Sequence, residues 1–176
     1  MVDTPSLPYR QGSLDGLCGI YAIINAIGLV VGDDAFDPTE LFRVLIRRAK
    51  GRIGSVIVDG MNQHDFEPYL KGACAYLTTC NLKISYSKPS DTTVPLRDLW
   101  AAIDAHLGGT PQRSVVLGMV GACEHWTCVR RIDAERLHLL DSGDMTTLSR
   151  SRLSVRFAGR RRICLDASRT YLLAAG

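Results

Sequence analysis

The sequence lacks long apolar runs and carries little net charge. No window approaches the ~18 consecutive apolar residues that a membrane-spanning helix needs, and Met1–Tyr9 contains no apolar stretch typical of a signal peptide. The net charge of +3 is too small to indicate a nucleic-acid-binding protein. We therefore expect a protein that neither enters a membrane nor binds nucleic acid. We expect it in the cytoplasm, or exported without a cleavable signal peptide.

The cysteine spacing excludes the commonest kind of metal site. None of the six cysteines belongs to the closely spaced pair typical of structural zinc sites. In a reducing compartment, an even number of cysteines does not indicate disulfides. We therefore predict free thiols, no metal and no organic cofactor, and zinc binding by Cys74, Cys80, Cys123 and Cys128 is the alternative. The sequence also lacks internal repeats, low-complexity tracts and linkers.

The periodicity of the apolar residues divides the chain into two parts. With 176 residues and a hydrophobic fraction of 46%, the chain can form one domain over residues 1–176. Helical spacing dominates the first half, and alternation with a period of two dominates the second. Helices followed by a largely antiparallel sheet predict an α+β protein. The predicted helices are 20–31, 38–51, 65–79 and 95–107, and the predicted strands are 56–58, 82–87, 114–120, 125–132, 137–140, 153–157, 163–165 and 170–173.

A cysteine at the start of the first apolar helix is the candidate nucleophile. Cys18 lies between Gly16 and Gly19 and directly precedes the apolar run Ile20–Val31. Unpaired N–H groups and the helix dipole stabilise a thiolate at this position, although a free thiol has a pKa near ~8.5. Gly16 would allow a sharp turn, and Gly19 would allow a substrate carbonyl to approach the backbone. The alternative is a loop-to-helix junction with a buried thiol.

A histidine and an aspartate on two successive strands complete a candidate triad. His125 begins one strand and Asp141 ends the next, with a turn near residue 133. In a hairpin the two would lie nearly opposite, so that the carboxylate could orient the imidazole ring. A tight turn would offset them by about three residues, and we therefore expect a bulge or a wider loop. The alternatives are a structural histidine beside Trp126 and an aspartate that forms an Asx turn with Gly143.

Gln11 is the candidate donor to an oxyanion. Its amide and the backbone N–H of Cys18 could both donate to the oxygen of a tetrahedral intermediate, and such a donor is typically worth ~2.7–4 kcal/mol. The alternative is an exposed polar loop residue. Asp15 is interpreted as a cap of the Cys18 helix rather than as a catalytic group. We expect Trp126 in the core and assign no catalytic role to the other histidines, which are His64, His106 and His138.

These segments together resemble the papain-like cysteine peptidase superfamily. The resemblance rests on Gln11, on Asp-x-x-Cys-Gly-x-Tyr-Ala around Cys18, and on the pairs His125–Trp126 and Asp141–Ser142. It covers residues 11–26 and 125–142, and it implies a papain-like α+β fold in which the nucleophile helix packs on an antiparallel sheet. The implied roles are Cys18 as nucleophile, His125 as general base and acid, Asp141 as orienting residue and Gln11 in the oxyanion hole. The short chain resembles a compact bacterial or effector-type member.

The predicted function is hydrolysis of a peptide or isopeptide bond in a protein or peptide substrate, through an acyl-thioenzyme. A protein glutamine deamidase or a transglutaminase-type acyltransferase would use the same triad, because fold and triad do not fix the substrate. The third alternative is a catalytically idle module that binds a protein partner. The basic run Arg150–Arg162 would then bind an acidic partner, unless it is the solvated face of a strand. Pocket walls are expected from Gly51–Asp65 and Ser87–Val94, and no oligomeric state is predicted.

Overall fold

A computed structural model describes residues 7–13, 15–89, 93–109, 112–156 and 162–176. Within these ranges the helices and strands alternate only in part, because four helices precede the first strand. The helices are α1 (Cys18–Val31), α2 (Pro38–Arg48), α3 (Ile53–Asp59), α4 (Gln63–Thr79) and α5 (Leu96–Gly109). The strands are β1 (Ile84–Ser87), β2 (Arg113–Gly121), β3 (His125–Ile132), β4 (Arg136–Leu140), β5 (Thr147–Ser149), β6 (Leu153–Ser154) and β7 (Ile163–Ala175).

The strands form one sheet with helices on both faces. The strand order is β1-β7-β2-β3-β4-β5, and β6 pairs with the N-terminal end of β7. All these pairings are antiparallel except that of β6 with β7. Helices α1, α2 and α4 share a core with one face of the sheet, and α5 packs on the other face. The prediction of an α+β protein is confirmed.

Helix α1 runs through the core and positions the residue at its start. Ile20, Ile23 and Ile27 are fully buried, and the same cluster contains Trp126 and Tyr171 from the sheet. A helix that is apolar on nearly all sides is stable only when protein surrounds it. The packing therefore holds the first turn of α1, and Cys18 within it, at a fixed place beside the sheet.

The starts of two helices follow from their capping residues. Asp37 accepts hydrogen bonds from the N–H groups of Thr39 and Glu40, at 2.8 and 3.1 Å, directly before α2. Asn62 does the same at the start of α4, which therefore begins at Gln63, two residues before the predicted start. No helix in the described ranges is both long and apolar enough to span a bilayer.

Several predicted strands differ from the structure. The prediction of a strand at residues 56–58 was wrong, because this segment belongs to α3. Val56 is buried and Val58 is 77% exposed, so the position of each side chain on the helix outweighs the β-propensity of valine. The two strands predicted at 163–165 and 170–173 are one strand, β7, whose pairing with β2 shifts between Leu117 and Met119.

The region between β4 and β7 also differs from the prediction. Strand β5 was not predicted. Of the strand predicted at 153–157, only Leu153–Ser154 forms β6, and Phe157 lies outside the described residues. The basic run Arg150–Arg162 therefore does not form a continuous strand face. Its first residues form a short 3-10 turn, Arg150–Arg152, in which the Arg150 guanidinium lies 5.1 Å from the centre of the Trp100 ring.

Candidate active site

Hydrogen bonds fix the loop that leads into Cys18. The Asp15 carboxylate accepts from the N–H groups of Gly12 and Leu17, at 2.6 and 3.1 Å. The prediction that Asp15 caps the Cys18 helix was wrong, because the N-cap residue is Leu17 and α1 has no side-chain cap hydrogen bond. Cys18 is the first residue of α1, so its N–H is among the groups that have no acceptor within the helix. This N–H is available to an oxygen bound at the helix start.

Gly16, two residues before Cys18, is required because two backbone segments approach each other closely there. The Gly16 N–H donates to the Ile57 carbonyl at 2.6 Å. A Cβ atom on Gly16 would lie 2.8 Å from the Gly60 nitrogen and 3.0 Å from the Ile57 oxygen, which is too close for a side chain. The space beside Gly19 is filled differently from the prediction, because the Met61 side chain occupies it at 3.3 Å from the ideal Cβ position.

His125 and Asp141 are joined across the β3–β4 hairpin. The His125 Nε2 lies 2.7 Å from the Asp141 Oδ2. Cys128 pairs with Leu140, and the predicted bulge is present between Val129 and Arg131. In this register, the residue directly opposite Asp141 is the one before Cys128. His125 lies two positions further along β3 and is therefore a diagonal neighbour of Asp141. Diagonal neighbours across a hairpin remain within reach of long side chains.

Asp141 makes both of the contacts that the sequence offered as alternatives, the contact with the His125 ring and the Asx turn with Gly143. One carboxylate oxygen contacts His125, and the other accepts from the Gly143 N–H at 2.9 Å, which is the Asx turn. The carboxylate is buried. Burial raises its pKa, but the hydrogen bond to His125 and the other contacts outweigh burial, and the pKa of Asp141 is lowered overall. Asp141 is therefore an ionised partner for the imidazole ring.

His125 connects Asp141 to Cys18. Burial lowers the pKa of His125, but hydrogen bonds to Asp141 and Cys18, together with their charges, raise it to about 9. Because Nε2 is occupied by Asp141, Nδ1 is the ring nitrogen that can exchange a proton with the Cys18 sulfur. The sulfur also lies 3.9 Å from the carbonyl oxygen of Gly16. The structure thus joins His125 to Asp141 and places Cys18 and His125 beside the same cavity.

Gln11 is held beside Asp141 by the next residue, Ser142. The Gln11 N–H donates to the Ser142 carbonyl at 3.1 Å, and the Ser142 hydroxyl donates to the Gln11 Oε1 at 3.3 Å. The contact is partly buried, because Ser142 is buried and Gln11 is half-buried. Because Oε1 is occupied by a donor, the free end of the carboxamide is its NH2 group. Gln11 lies outside the residues that line the cavity described below.

Asn25 fixes the segment that carries Gln11 and was not identified as a site residue from the sequence. It is a buried polar residue in the middle of α1. Its side chain accepts from the Tyr9 N–H at 2.8 Å and donates to the Tyr9 carbonyl at 3.2 Å. An asparagine inside the apolar run Ile20–Val31 is the sequence signal that could have indicated this contact.

A cavity of ≈190 Å³ opens beside the sulfur and the imidazole ring. The predicted wall Gly51–Asp65 contributes residues 59–62. Of the segment Ser87–Val94, none of the residues that the structure describes lines the cavity, and residues 90–92 lie outside the described ranges. The lining residues are Cys18, Asp59, Gly60, Met61, Asn62, Met119, Val120, Glu124, His125, Trp126 and Arg169.

Trp126 is a core residue, as predicted, and also supports the cavity. Its indole N–H donates to the Met61 carbonyl at 2.7 Å, and its ring stacks on Phe66 with 3.9 Å between ring centres. Met61 in turn contacts Gly19 beside the nucleophile. The tryptophan therefore sets the distance between the 59–62 wall and the start of α1.

The other histidines have different partners. His138 Nε2 contacts Asp133 at 2.7 Å in the hairpin turn, and His106 Nε2 contacts the Leu173 carbonyl oxygen at 2.9 Å. His106 is partly buried, and burial lowers its pKa. His64 is exposed. The cysteines are all free thiols, and the described part of the chain contains no group of three or more His, Cys, Asp or Glu residues that could hold a metal ion.

The arrangement combines a thiol, an imidazole that could accept its proton, a carboxylate bonded to the imidazole, and a backbone N–H at the start of α1. These are the components of nucleophilic catalysis at a carbonyl carbon. Comparison with known proteins gave no match to a protein-family model and none to a curated sequence.

Proposed function

We propose that the protein is a papain-like cysteine hydrolase that cleaves a peptide or isopeptide bond. The observation that carries the proposal is the position of His125, which is hydrogen-bonded to Asp141 at 2.7 Å and lines the same cavity as Cys18. Its raised pKa, to about 9, favours an imidazolium beside the sulfur at neutral pH. An imidazolium at this place favours the thiolate form of cysteine, which is the nucleophile.

In the proposed reaction the Cys18 sulfur attacks the substrate carbonyl carbon. The negative oxygen that forms accepts hydrogen bonds from the Cys18 N–H and from the Gln11 NH2 group. The His125 imidazolium gives its Nδ1 proton to the leaving amine, and the C–N bond breaks to leave a thioester. A water molecule then loses a proton to His125 and attacks the thioester, which releases the acid and restores the thiol.

Selective alkylation tests whether Cys18 is activated. Cys80 is exposed, whereas Cys18 is 8% exposed, so an unactivated Cys18 would react with iodoacetamide more slowly than Cys80. We expect Cys18 to react at least about tenfold faster than Cys80 at pH 6, because a thiolate paired with an imidazolium persists below the usual thiol pKa. Mass spectrometry of the labelled peptides measures both rates. A slower reaction at Cys18 would favour the idle binding module.

The reaction itself is tested with an unbiased peptide library. We expect cleavage by the wild-type protein, none by Cys18→Ala, and a covalent acyl adduct on Cys18 after rapid acid quenching. Cys128→Ala is the matched control, because Cys128 is a fully buried thiol that contributes to the core. Ammonia release from glutamine without cleavage would instead assign the protein to the deamidases.

A further inference from the structure

A second cavity lies among the helices and has no part in the proposed reaction. Its volume is ≈410 Å³, within the range of small-molecule sites. It is formed where the end of α2, the turn Lys50–Arg52 and α3 meet α4. Three of its lining residues, Arg48, Lys50 and Arg52, are cationic, and Asp65 is the single carboxylate among the described lining residues.

The positive charges in this cavity exceed the negative charge. Arg52 binds Asp65 through both carboxylate oxygens, at 2.8 and 3.3 Å, and so neutralises it. In the described part of the chain, no carboxylate lies within 4.0 Å of the Arg48 guanidinium or the Lys50 ammonium. The neighbouring Arg47 differs, because it pairs with Glu40 at 3.3 Å. Two cations thus face the cavity without a protein counter-charge.

Packing constrains two of the polar residues around the cavity, Arg48 and Tyr69. Arg48 lies against α4 at Gly72, where a Cβ atom would come within 2.7 Å of its Cδ and 2.9 Å of its Nε. Tyr69 is buried apart from its edge on the cavity, and burial and the charge of Asp65 raise its pKa against the opposing charges of Arg52 and Arg48. Lys50 has a left-handed φ of 49°, which costs a residue with a side chain ~1–2 kcal/mol. Strain of this kind is concentrated at binding sites.

We propose that this cavity binds a small molecule that carries a phosphate group, and that the ligand acts on Cys18 through α3. Guanidinium, ammonium and phenol groups that converge on a cavity with excess positive charge match the oxygens and charge of a phosphate. Val56 in the middle of α3 lines this cavity, and Ile57 accepts the hydrogen bond from Gly16 that fixes the Cys18 loop. The effect on Cys18 rests on the proposed function, whereas the binding does not.

Binding is tested by titrating sodium tripolyphosphate into the wild-type protein at constant ionic strength, with isothermal calorimetry. We expect saturable binding that Arg48→Ala weakens about tenfold or more, because a hydrogen bond to a charged group is lost. Arg47→Ala is the matched control, since it removes the same charge from the adjacent position of the same helix, and we expect less than about a twofold change. Gly72→Ala should also weaken binding by displacing the Arg48 side chain without changing the charge.

Three results of the titration would overturn the binding site. These are the absence of saturable binding, an equal loss of affinity in the Arg47 and Arg48 variants, and tighter binding of hexaglutamate than of tripolyphosphate.

The effector role is tested separately by the rate at which iodoacetamide alkylates Cys18. We expect saturating tripolyphosphate to raise this rate at least about fivefold in the wild-type protein and to leave it unchanged in Arg48→Ala. Binding without an increase in the rate would overturn the effector role. Binding to Cys18→Ala separates a failure of this site from a failure of the proposed function.

Discussion

At the scale of single residues, Asp141 divides its two carboxylate oxygens between two partners. One oxygen contacts the His125 ring, and the other is fixed by the Gly143 N–H. A carboxylate that is held at both oxygens cannot rotate away from the imidazole. The backbone turn after β4 therefore takes part in orienting His125, although Gly143 itself touches no reacting atom.

The titration of His125 should depend on Asp141. The pKa of His125 is raised to about 9 in the folded protein, against ~6.5 in an unfolded chain. Its contribution to stability is therefore complete below pH ~6.5 and is lost as the pH rises through about 9. We expect Asp141→Asn to move the midpoint of His125 down by more than about one pH unit, because burial then dominates. Proton NMR of the histidine Cε1–H signals measures the shift.

His106 provides the internal control for this titration. Burial lowers its pKa, and it contacts Leu173 rather than the candidate site. Its midpoint should therefore be the same in the wild type and in Asp141→Asn. An unchanged His125 midpoint in the variant would contradict the assignment of Asp141 as the orienting residue.

Gln11 should affect the rate of acylation but not the activation of the thiol. We expect Gln11→Ala to lower kcat for a chromogenic acyl ester by ~10²–10³, the usual loss for an oxyanion donor, while the alkylation rate of Cys18 stays within about twofold of wild type. Ser142→Ala should lower kcat less, because it removes the hydroxyl that orients the amide but keeps the amide itself. A parallel loss of alkylation and kcat in Gln11→Ala would indicate a structural role instead.

At the scale of elements, the start of α1 is fixed by a segment from another part of the chain. The backbone of residues 57–60 contacts Gly16, and Met61 contacts Gly19. The turn at Gly60 has a positive φ of 76°, which favours glycine. The position of Cys18, the candidate nucleophile, therefore depends on the C-terminal end of α3 as well as on α1.

Gly16→Ala should therefore destabilise the protein, whereas Gly54→Ala should not. The new Cβ atom would lie 2.8 Å from the Gly60 nitrogen, so we expect the free energy of unfolding to fall by about 1–3 kcal/mol, as for an overpacked position. A Cβ atom at Gly54, in α3, meets nothing within 4 Å. Gly54→Ala should raise the free energy of unfolding by ~0.5–1 kcal/mol, because alanine favours helix. Urea denaturation measures both, and equal effects would contradict the close approach at Gly16.

Local sequence signals predicted those elements whose ends are marked by their own residues, such as a capping residue or the limits of an alternating pattern. Asp37 and Pro38 indicated the start of α2, and the alternation from His125 to Ile132 gave the bounds of β3. Helix α3 was predicted as a strand because its valines favour strands locally, while tertiary packing decides which of them is buried. The length of β7 was not predictable either, since its register shift depends on pairing with β2.

At the scale of the whole molecule, the two tryptophans lie on opposite faces of the sheet. Trp126 stacks on Phe66 of α4, and Trp100 of α5 donates its indole N–H to the Asp133 carbonyl at 3.1 Å. Each tryptophan therefore belongs to a different one of the two apolar clusters. Because β2, β3 and β7 contribute side chains to both clusters, loss of one cluster should disrupt the other.

The two clusters should therefore unfold together. In Trp100→Phe and in Trp126→Phe, we expect the fluorescence of the remaining tryptophan to give the same urea midpoint as far-UV circular dichroism of that variant. Trp126→Phe should itself be less stable, because the buried Met61 carbonyl loses its donor. Separate midpoints within one variant would contradict the prediction of one domain over residues 1–176.

The candidate site was predictable as a set of residue types but not as an arrangement. The sequence indicated Cys18, His125 and Asp141, because each stands at or next to the end of an element with recognisable neighbours, and it indicated Gln11 by its place upstream of Cys18. The contact between Cys18 and His125 joins residues more than a hundred positions apart, and only packing of α1 on the sheet produces it. The anchoring of Gln11 on Ser142 is equally non-local.

The anchoring of Tyr9 by Asn25 and of Gln11 by Ser142 has a practical consequence. A protease that removed the chain up to Gln11 would take away the Gln11 carboxamide and the Tyr9 backbone groups that pair with buried Asn25, while Cys18, His125 and Asp141 would remain in the chain. Such trimmed molecules would still be labelled by thiol reagents but would turn over poorly. Under the proposed function, a preparation with ragged ends would contain fewer active molecules than thiol labelling counts, and intact-mass analysis should precede any kinetic measurement.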